Sequence, residues 1–264
     1  MNILLIGCGN IGGALLKLWV ALDVADKIIV VQPSLSSACD FDQYSKVAFV
    51  RDVHAIPKDF SPDGIVLAIK PQIAAFVAPN LCSYMENAIL ISMLAGTSLS
   101  RLEDLTSHKS KIIRMMPTVA IKTQQSVNLA FANRNANHDS RSIVKKIIEI
   151  SGEIIWVKEE KHIDILTPIS GAGPAYFFLL AEILIEETIK FGIDENIARS
   201  IIQRLFIGSA SIAAHTANFA SLRQSVASKK GVTEAALEIM SSGMRAVIQH
   251  SLQKALIRLK ELQR

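Results

Sequence analysis

The chain is poor in the residues that cross-link small proteins. Only three cysteines occur in 264 residues, and Cys8, Cys39 and Cys82 form no CxxC pair. That argues against a disulfide framework or a thiolate zinc site and points to a reducing compartment. The six histidines show no HExxH spacing, so no metal site is expected. Aromatics are only 6% of the chain, and the net charge of +4 is modest. The densest basic cluster (Arg245, Lys254, Arg258, Lys260, Arg264) falls at helical spacings with no aromatics interleaved. It reads as a solvated helix face, not a nucleic-acid stripe. No clean apolar run reaches the ~20 residues of a membrane span. ILTPISGAGPAYFFLLA and LFIGSASIAAHTANFASL are interrupted by Pro, Gly, His, Asn and Ser. The opening MNILLIGCGNIGGALLKLWVAL lacks a signal peptide's basic start. A soluble, cytoplasmic protein is expected, with neither membrane nor nucleic acid as partner.

Apolar residues are what the chain has in quantity: 50% of the total, with a mean hydropathy of +0.33. In the first half they fall in short β-rich runs at Asn2–Ile6, Lys27–Val31, 46–50, 64–69, 88–94 and 111–115. Segments with a 3.6-residue period lie between several of these, Ile11–Leu22 among them. Continuous β-branched runs alternating with helices predict a parallel sheet covered on both faces. A further strand, helix and strand follow in SVNLAFAN, SRSIVKKIIEI and GEIIWV. Beyond about residue 165 only helices are expected: Pro174 to Phe191 closed by Gly192, Asp194 to about Asn218, and Thr233 onward. The second of these has little polar face in its later turns, which predicts contact with another subunit.

IGCGNIGG supplies G-x-G-x-x-G at Gly7, Gly9 and Gly12, between the first strand and the first helix. The three glycines suit a tight turn, pyrophosphate approach and close helix–strand packing, and the amides of Asn10 and Ile11 would face phosphate. This makes a Rossmann-type doubly wound α/β domain over 1–163, followed by an all-helical domain over 164–264 that carries the expected subunit contact. The second strand ends in VVQPSLSS, without the acid that would bind an NAD ribose. Ser34 in that uncharged loop favours NADP(H); NAD(H) stays open, because no arginine stands there either. Ala68, Lys70 and Pro71 in LAIKPQ, Ala95 and Gly96 in MLAGTS, and Pro117 and Thr118 in RMMPTV lie at later strand ends, where ligands of open α/β sheets sit. Lys70 could equally be a solvated charge.

Two further motifs make the chain resemble a known family. ISGAGPAYFFLL looks like the Ser-Gly-x-Gly-Pro-Ala-Tyr segment of pyrroline-5-carboxylate reductases, and SVASKKGVTEAAL resembles their Ser-Pro-Gly-Gly-x-Thr motif. The glycine loop, AIKP and AGT fall in the family's order, so the resemblance covers essentially the whole chain. It implies reduction of 1-pyrroline-5-carboxylate to L-proline with NAD(P)H, the last step of proline biosynthesis, by a homodimer or an assembly of dimers. It also implies that 164–264 is a dimerisation and substrate domain. A small cyclic imine with a carboxylate needs an anion seat and a donor near its nitrogen. Amides of Gly231, Val232 and Thr233, with the Ser228 hydroxyl, can make the seat at a helix start. By resemblance the Thr233 hydroxyl is the catalytic donor to the ring nitrogen; it could also N-cap the last helix. Gly171 and Gly173 would pack against the ligands or simply make a turn ahead of Pro174.

Several positions depart from the family pattern. Lys229-Lys230-Gly231 stands for Pro-Gly-Gly, Thr118-Val119-Ala120 for Asn-Thr-Pro, and VRDVHAIP holds no counterpart to the asparagine after the third strand. The alternative reading is therefore a degenerate or substrate-shifted NADP-binding paralogue. A hydroxyacid reductase of the same plan is disfavoured, since the helix after Pro174 has no basic residue in its first turns.

Overall fold

The computed structural model describes residues 1–34, 39–216 and 218–262, without the side chains of Cys39 and Leu262. Ser36 and Ser37, which made the loop after the second strand hydroxyl-rich, and Arg264 of the basic cluster lie outside the described residues. The chain divides into two compact units, Met1–Ala172 with Leu256–Arg264, and Gly173–Ala255.

The first unit is built on eight strands: β1 (Asn2–Ile6), β2 (Lys27–Val31), β3 (Val47–Val50), β4 (Gly64–Leu67), β5 (Ile89–Ser92), β6 (Lys111–Met116), β7 (Ser126–Ala132) and β8 (Gly152–Trp156). They hydrogen-bond in the order β3-β2-β1-β4-β5-β6-β7-β8. The order turns back at β1, whose neighbours are β2 and β4. That is the switch point at which open α/β sheets take ligands.

Successive residues of β1 face opposite ways. Ile3 and Leu5 pack with Leu15, Leu16 and Trp19 of α1 (Asn10–Ala21) and with Val144 and Ile147 of α4 (His138–Ile148). Leu4 and Ile6 pack on the other face with Ala74 of α2 (Ala74–Val77) and Leu99 and Leu102 of α3 (Leu99–Leu105). Apolar side chains on both faces explain why the strands read as continuous hydrophobic runs. The indole Nε1 of Trp19 donates to the Ile147 carbonyl at 2.8 Å, joining the two helices of one layer.

One strand direction differs from the all-parallel expectation: β6 and β7 pair antiparallel, while every other neighbouring pair is parallel. Only residues 117–125 connect them, in a 3-10 turn over Val119–Thr123. A parallel crossover needs about a dozen residues or more, so the chain has to return beside itself.

α5 (Lys161–Ser170) completes the first unit, apart from residues 256–262 at the end of the last helix. The second unit contains α6 (Gly173–Lys190), α7 (Glu195–Ala213), α8 (Phe219–Ser225) and most of α9 (Val232–Leu262). The Gly192 amide bonds the Ile189 carbonyl at 2.8 Å and ends the first of these helices. Asp194 caps the next by accepting the amides of Asn196 and Ile197. The helix expected to run to about Asn218 stops at Ala213. Asn218 instead accepts the Ser221 amide and starts α8.

Within the single chain, α6 and α7 leave large apolar side chains in solvent: Phe177 60%, Phe178 59%, Leu205 56% and Ile207 56% exposed. The helical run Lys161–Lys190 is also long and apolar enough, by length and composition, to cross a membrane. This corrects the reading of that stretch as too interrupted. Pro168 lies inside α5, and Gly171 and Ala172 form a turn, so the run is divided into two helices.

Candidate active site

The glycine loop sits at the switch point. Gly7 adopts φ +94, and a Cβ there would lie 2.6 Å from the Ala68 carbonyl oxygen. A Cβ on Gly12 would lie 2.1 Å from the Gly7 carbonyl oxygen, so α1 rests directly on the turn. Gly9 is the opposite case, because a Cβ there meets nothing within 4 Å. The three glycines thus make a tight turn, a close helix–strand contact and an open position.

α1 begins at Asn10 with no side-chain cap on its first amides and no acid in its first turn. The first bond to return along the helix is from Gly13 to the Gly9 carbonyl, at 2.7 Å. Among the described residues the amides of Asn10, Ile11 and Gly12 have no protein partner, so they remain available to an anion. A dinucleotide phosphate fits this turn: donors and space are present, and the carboxylate lining the cavity on that side, Asp40, is 4.0 Å from the Lys17 ammonium.

The loop is flanked by cavities. One of about 500 Å3 is lined by Gly7, Gly9, Gln32, Ala68, Lys70 and residues following β3 and β4. A second, of about 540 Å3, takes in Gly9, Asn10, Cys8, Lys17 and Lys122. Pro71 and Gly96 line a third, also of about 540 Å3, with Arg101, Glu160 and Asp164. Ile11 packs on the core beneath α1, and Ala95 packs against the small cluster around Met116 and Ile163. Ser34 is exposed at the end of the described loop and lines none of these cavities. Thr118 is buried, with its amide bonded to the Ser126 hydroxyl at 3.0 Å, so it belongs to a closed turn.

Gln32 stands where an NAD-binding acid would. Its side-chain oxygen accepts the Cys8 amide at 2.8 Å, which turns the neutral group toward the glycine loop. The Cys8 thiol is held above its ordinary range by burial, partly offset by Lys17, with Asp40 adding to the rise. It is therefore a poor nucleophile at neutral pH.

In the second unit, Ser228, Gly231, Val232 and Thr233 form one turn and the start of α9. The Gly231 amide bonds the Ser228 carbonyl at 2.9 Å, and a Cβ on Gly231 would lie 2.3 Å from the Ser228 hydroxyl oxygen. The Gly231 donor is thus already used. Val232, Thr233 and Glu234 supply the amides without partners among the described residues, one residue along from the expected set. Thr233 lies inside the first turn of α9, not at its cap. Lys230, where the family has glycine, holds φ +58, and its amide bonds the Glu234 carboxylate.

Sequence reasoning missed a buried ion cluster. Arg114 on β6 is 1% exposed, and its guanidinium meets Glu160 at 2.9 Å and also Asp164, at the start of α5. Glu160 accepts the Leu99 amide at 2.7 Å as well, while the Arg114 Nε is buried without a partner among the described residues. The available signal was one arginine within the apolar run KIIRMM.

A switch-point sheet with an open glycine turn, followed by a helical unit, defines the class of two-part nucleotide-binding α/β proteins. Residues 160–262 match the family described as pyrroline-5-carboxylate reductase dimerisation, and 2–96 match that described as NADP oxidoreductase, coenzyme F420-dependent. The chain is 30% identical over 98% of its length to a pyrroline-5-carboxylate reductase of Haemophilus influenzae, covering 96% of that protein. It is similar in structure to a pyrroline-5-carboxylate reductase of Coxiella burnetii, with a TM-score of 0.89 and 29% identity, covering 100% of this chain and 98% of that one. The fold is shared with a Plasmodium falciparum pyrroline carboxylate reductase solved with NADP bound, at a TM-score of 0.84 and 23% identity over 100% and 98% of the two chains. The chain belongs to the pyrroline-5-carboxylate reductase family.

Proposed function

We propose that this chain reduces 1-pyrroline-5-carboxylate to L-proline with NADPH, as an oxidoreductase of proline biosynthesis. The observation that carries the reading is the likeness to the Haemophilus reductase, which runs through 98% of the chain and so spans both the glycine turn and the start of α9. When bound, NADPH supplies the hydride that adds to C5 of the imine. Residues 1–163 hold the dinucleotide and 164–264 hold the substrate and the subunit contact.

The amides of Asn10, Ile11 and Gly12 hold the pyrophosphate at the N-terminus of α1. Gly7, Gly9, Ala68 and Lys70 line the adenosine side, with Ser34 at its edge. Pro71, Ala95 and Gly96 border the nicotinamide side. Ser228, Val232 and Thr233 receive the substrate carboxylate, with Gly231 keeping the turn narrow. Each charge-assisted hydrogen bond of this kind contributes roughly 1.5–3 kcal/mol, so two or three hold a small anion. The Thr233 hydroxyl donates to the ring nitrogen as it gains its proton.

The apolar side chains of α6 and α7 are covered by a second copy. The family description of 160–262 as a dimerisation region supports this reading, as does the exposure of Phe177, Phe178 and Leu205. The same cover accounts for the apolar run Lys161–Lys190 without a membrane. The protein is a homodimer, alone or as the unit of a larger assembly, and light scattering on the purified chain tests this. The free thiols of Cys8 and Cys82 agree with the cytoplasm.

The enzymatic reading is tested by mixing purified protein, NADPH and pyrroline-5-carboxylate. Nicotinamide absorbance should fall and proline should accumulate in equal amount. Cofactor binding without turnover would favour the degenerate paralogue.

A further inference from the structure

The cavity of about 500 Å3 beside the glycine loop has two unlike sides. After β4 it is apolar, with Ile73, Val77 and the ring of Phe76, which is 78% exposed. After β3 it carries Arg51 and His54. The strand order β3-β2-β1-β4 sets these sides apart, with the end of β2 and the glycine turn between them. An adenosine fits that layout: the base against the apolar wall, and the ribose at the end of β2, where nucleotide-binding sheets place it.

Arg51 then falls beside the ribose. It follows Val50 directly, and the Val50 carbonyl accepts the Gln32 amide at 2.9 Å. A carboxylate on the end of β2 would repel a phosphate on the ribose 2′-oxygen, and none is present at Gln32, Pro33 or Ser34. Asp52 also lines the cavity. Its Oδ1 is committed to the amides of His54 and Ala55, at 2.8 and 3.2 Å. Arg51 forms no ion pair among the described residues, so its planar fork of donors is open for bidentate contact with phosphate.

We propose that Arg51 recognises the 2′-phosphate of the adenosine ribose, with the His54 ring as a second donor, and so sets this chain's preference for NADPH over NADH. This rests on the reading of the Gly7–Gly12 turn as the dinucleotide seat. VVQPSLSS favours NADP(H) through its missing acid and its hydroxyls, without a cation; Arg51 supplies an attractive group from the neighbouring strand.

The test needs no turnover. Calorimetry on the purified protein compares 2′,5′-ADP with 5′-AMP, and NADPH with NADH, for the wild type, Arg51→Gln and Arg51→Lys. The wild type should bind the 2′-phosphorylated member of each pair at least tenfold more tightly. Arg51→Gln should lose most of that ratio and leave 5′-AMP and NADH affinity within about twofold, while Arg51→Lys should keep part of it. A ratio unchanged in Arg51→Gln, or a wild type that binds both members equally, would overturn the proposal while leaving the dinucleotide seat in place. A wild type that binds none of the four would overturn the seat as well.

Discussion

The amide of Lys230 bonds the carboxylate of Glu234 while Lys230 itself holds φ +58. A lysine thus sits in left-handed backbone at the turn into α9, where its family has glycine. That conformation costs a side-chain-bearing residue about 1–2 kcal/mol. Lys230→Gly should stabilise the fold by about 0.5–1 kcal/mol, once the greater freedom of glycine in the unfolded chain is subtracted. A urea midpoint shifted upward at constant slope is the expected result. A downward shift would mean that contacts of the lysine side chain outweigh the strain.

Gly9 faces open space at the start of α1. Gly9→Leu should leave the thermal transition nearly unchanged and abolish NADPH binding, since the new side chain fills the space proposed for the pyrophosphate. NADPH titrated into the variant by fluorescence checks this. Retained affinity would remove the glycine turn from the cofactor site.

Thr233 lies within the first turn of α9 and is not its cap, and the proposed function makes its hydroxyl a donor to the substrate. Thr233→Ala should lower kcat roughly a hundredfold, the scale of a lost general acid, with NADPH affinity held within twofold. Equal loss of turnover and cofactor binding would point to a folding role for the hydroxyl.

Arg114 is the least exposed charge among the described residues of the first unit, and two carboxylates converge on it. Arg114→Met leaves Glu160 and Asp164 facing each other without their cation. Breaking a buried pair from one side costs about 3–5 kcal/mol, so a fall of that order in unfolding free energy is expected. A loss below about 1 kcal/mol would show that the acids turn to solvent without penalty.

The strands, the glycine turn and the caps at Gly192 and Asp194 were legible because each is written within a few neighbouring residues. The antiparallel return of β7 was not, since it depends on the short span 117–125, and strand composition is blind to pairing direction. Arg114 is 46 residues from Glu160, so nothing in the local pattern announced their pairing. Arg51 is visible within VRDVHAIP, but nothing in the local pattern shows that it shares a cavity with the end of β2. The usual discriminator is sought at the end of β2, and this residue arrives at the same cavity from β3. At the start of α9 the motif was visible from the sequence, but which amides are free was not, because the Ser228–Gly231 turn claims one of them.

The proposed reading is that this chain oxidises NADPH as it reduces pyrroline-5-carboxylate. Nicotinamide absorbance followed after adding pyrroline-5-carboxylate to the purified protein with NADPH tests it most directly. Steady oxidation of NADPH, matched mole for mole by proline and abolished in Gly9→Leu, is the predicted result. NADPH that binds tightly yet stays reduced at every concentration of the imine would contradict it.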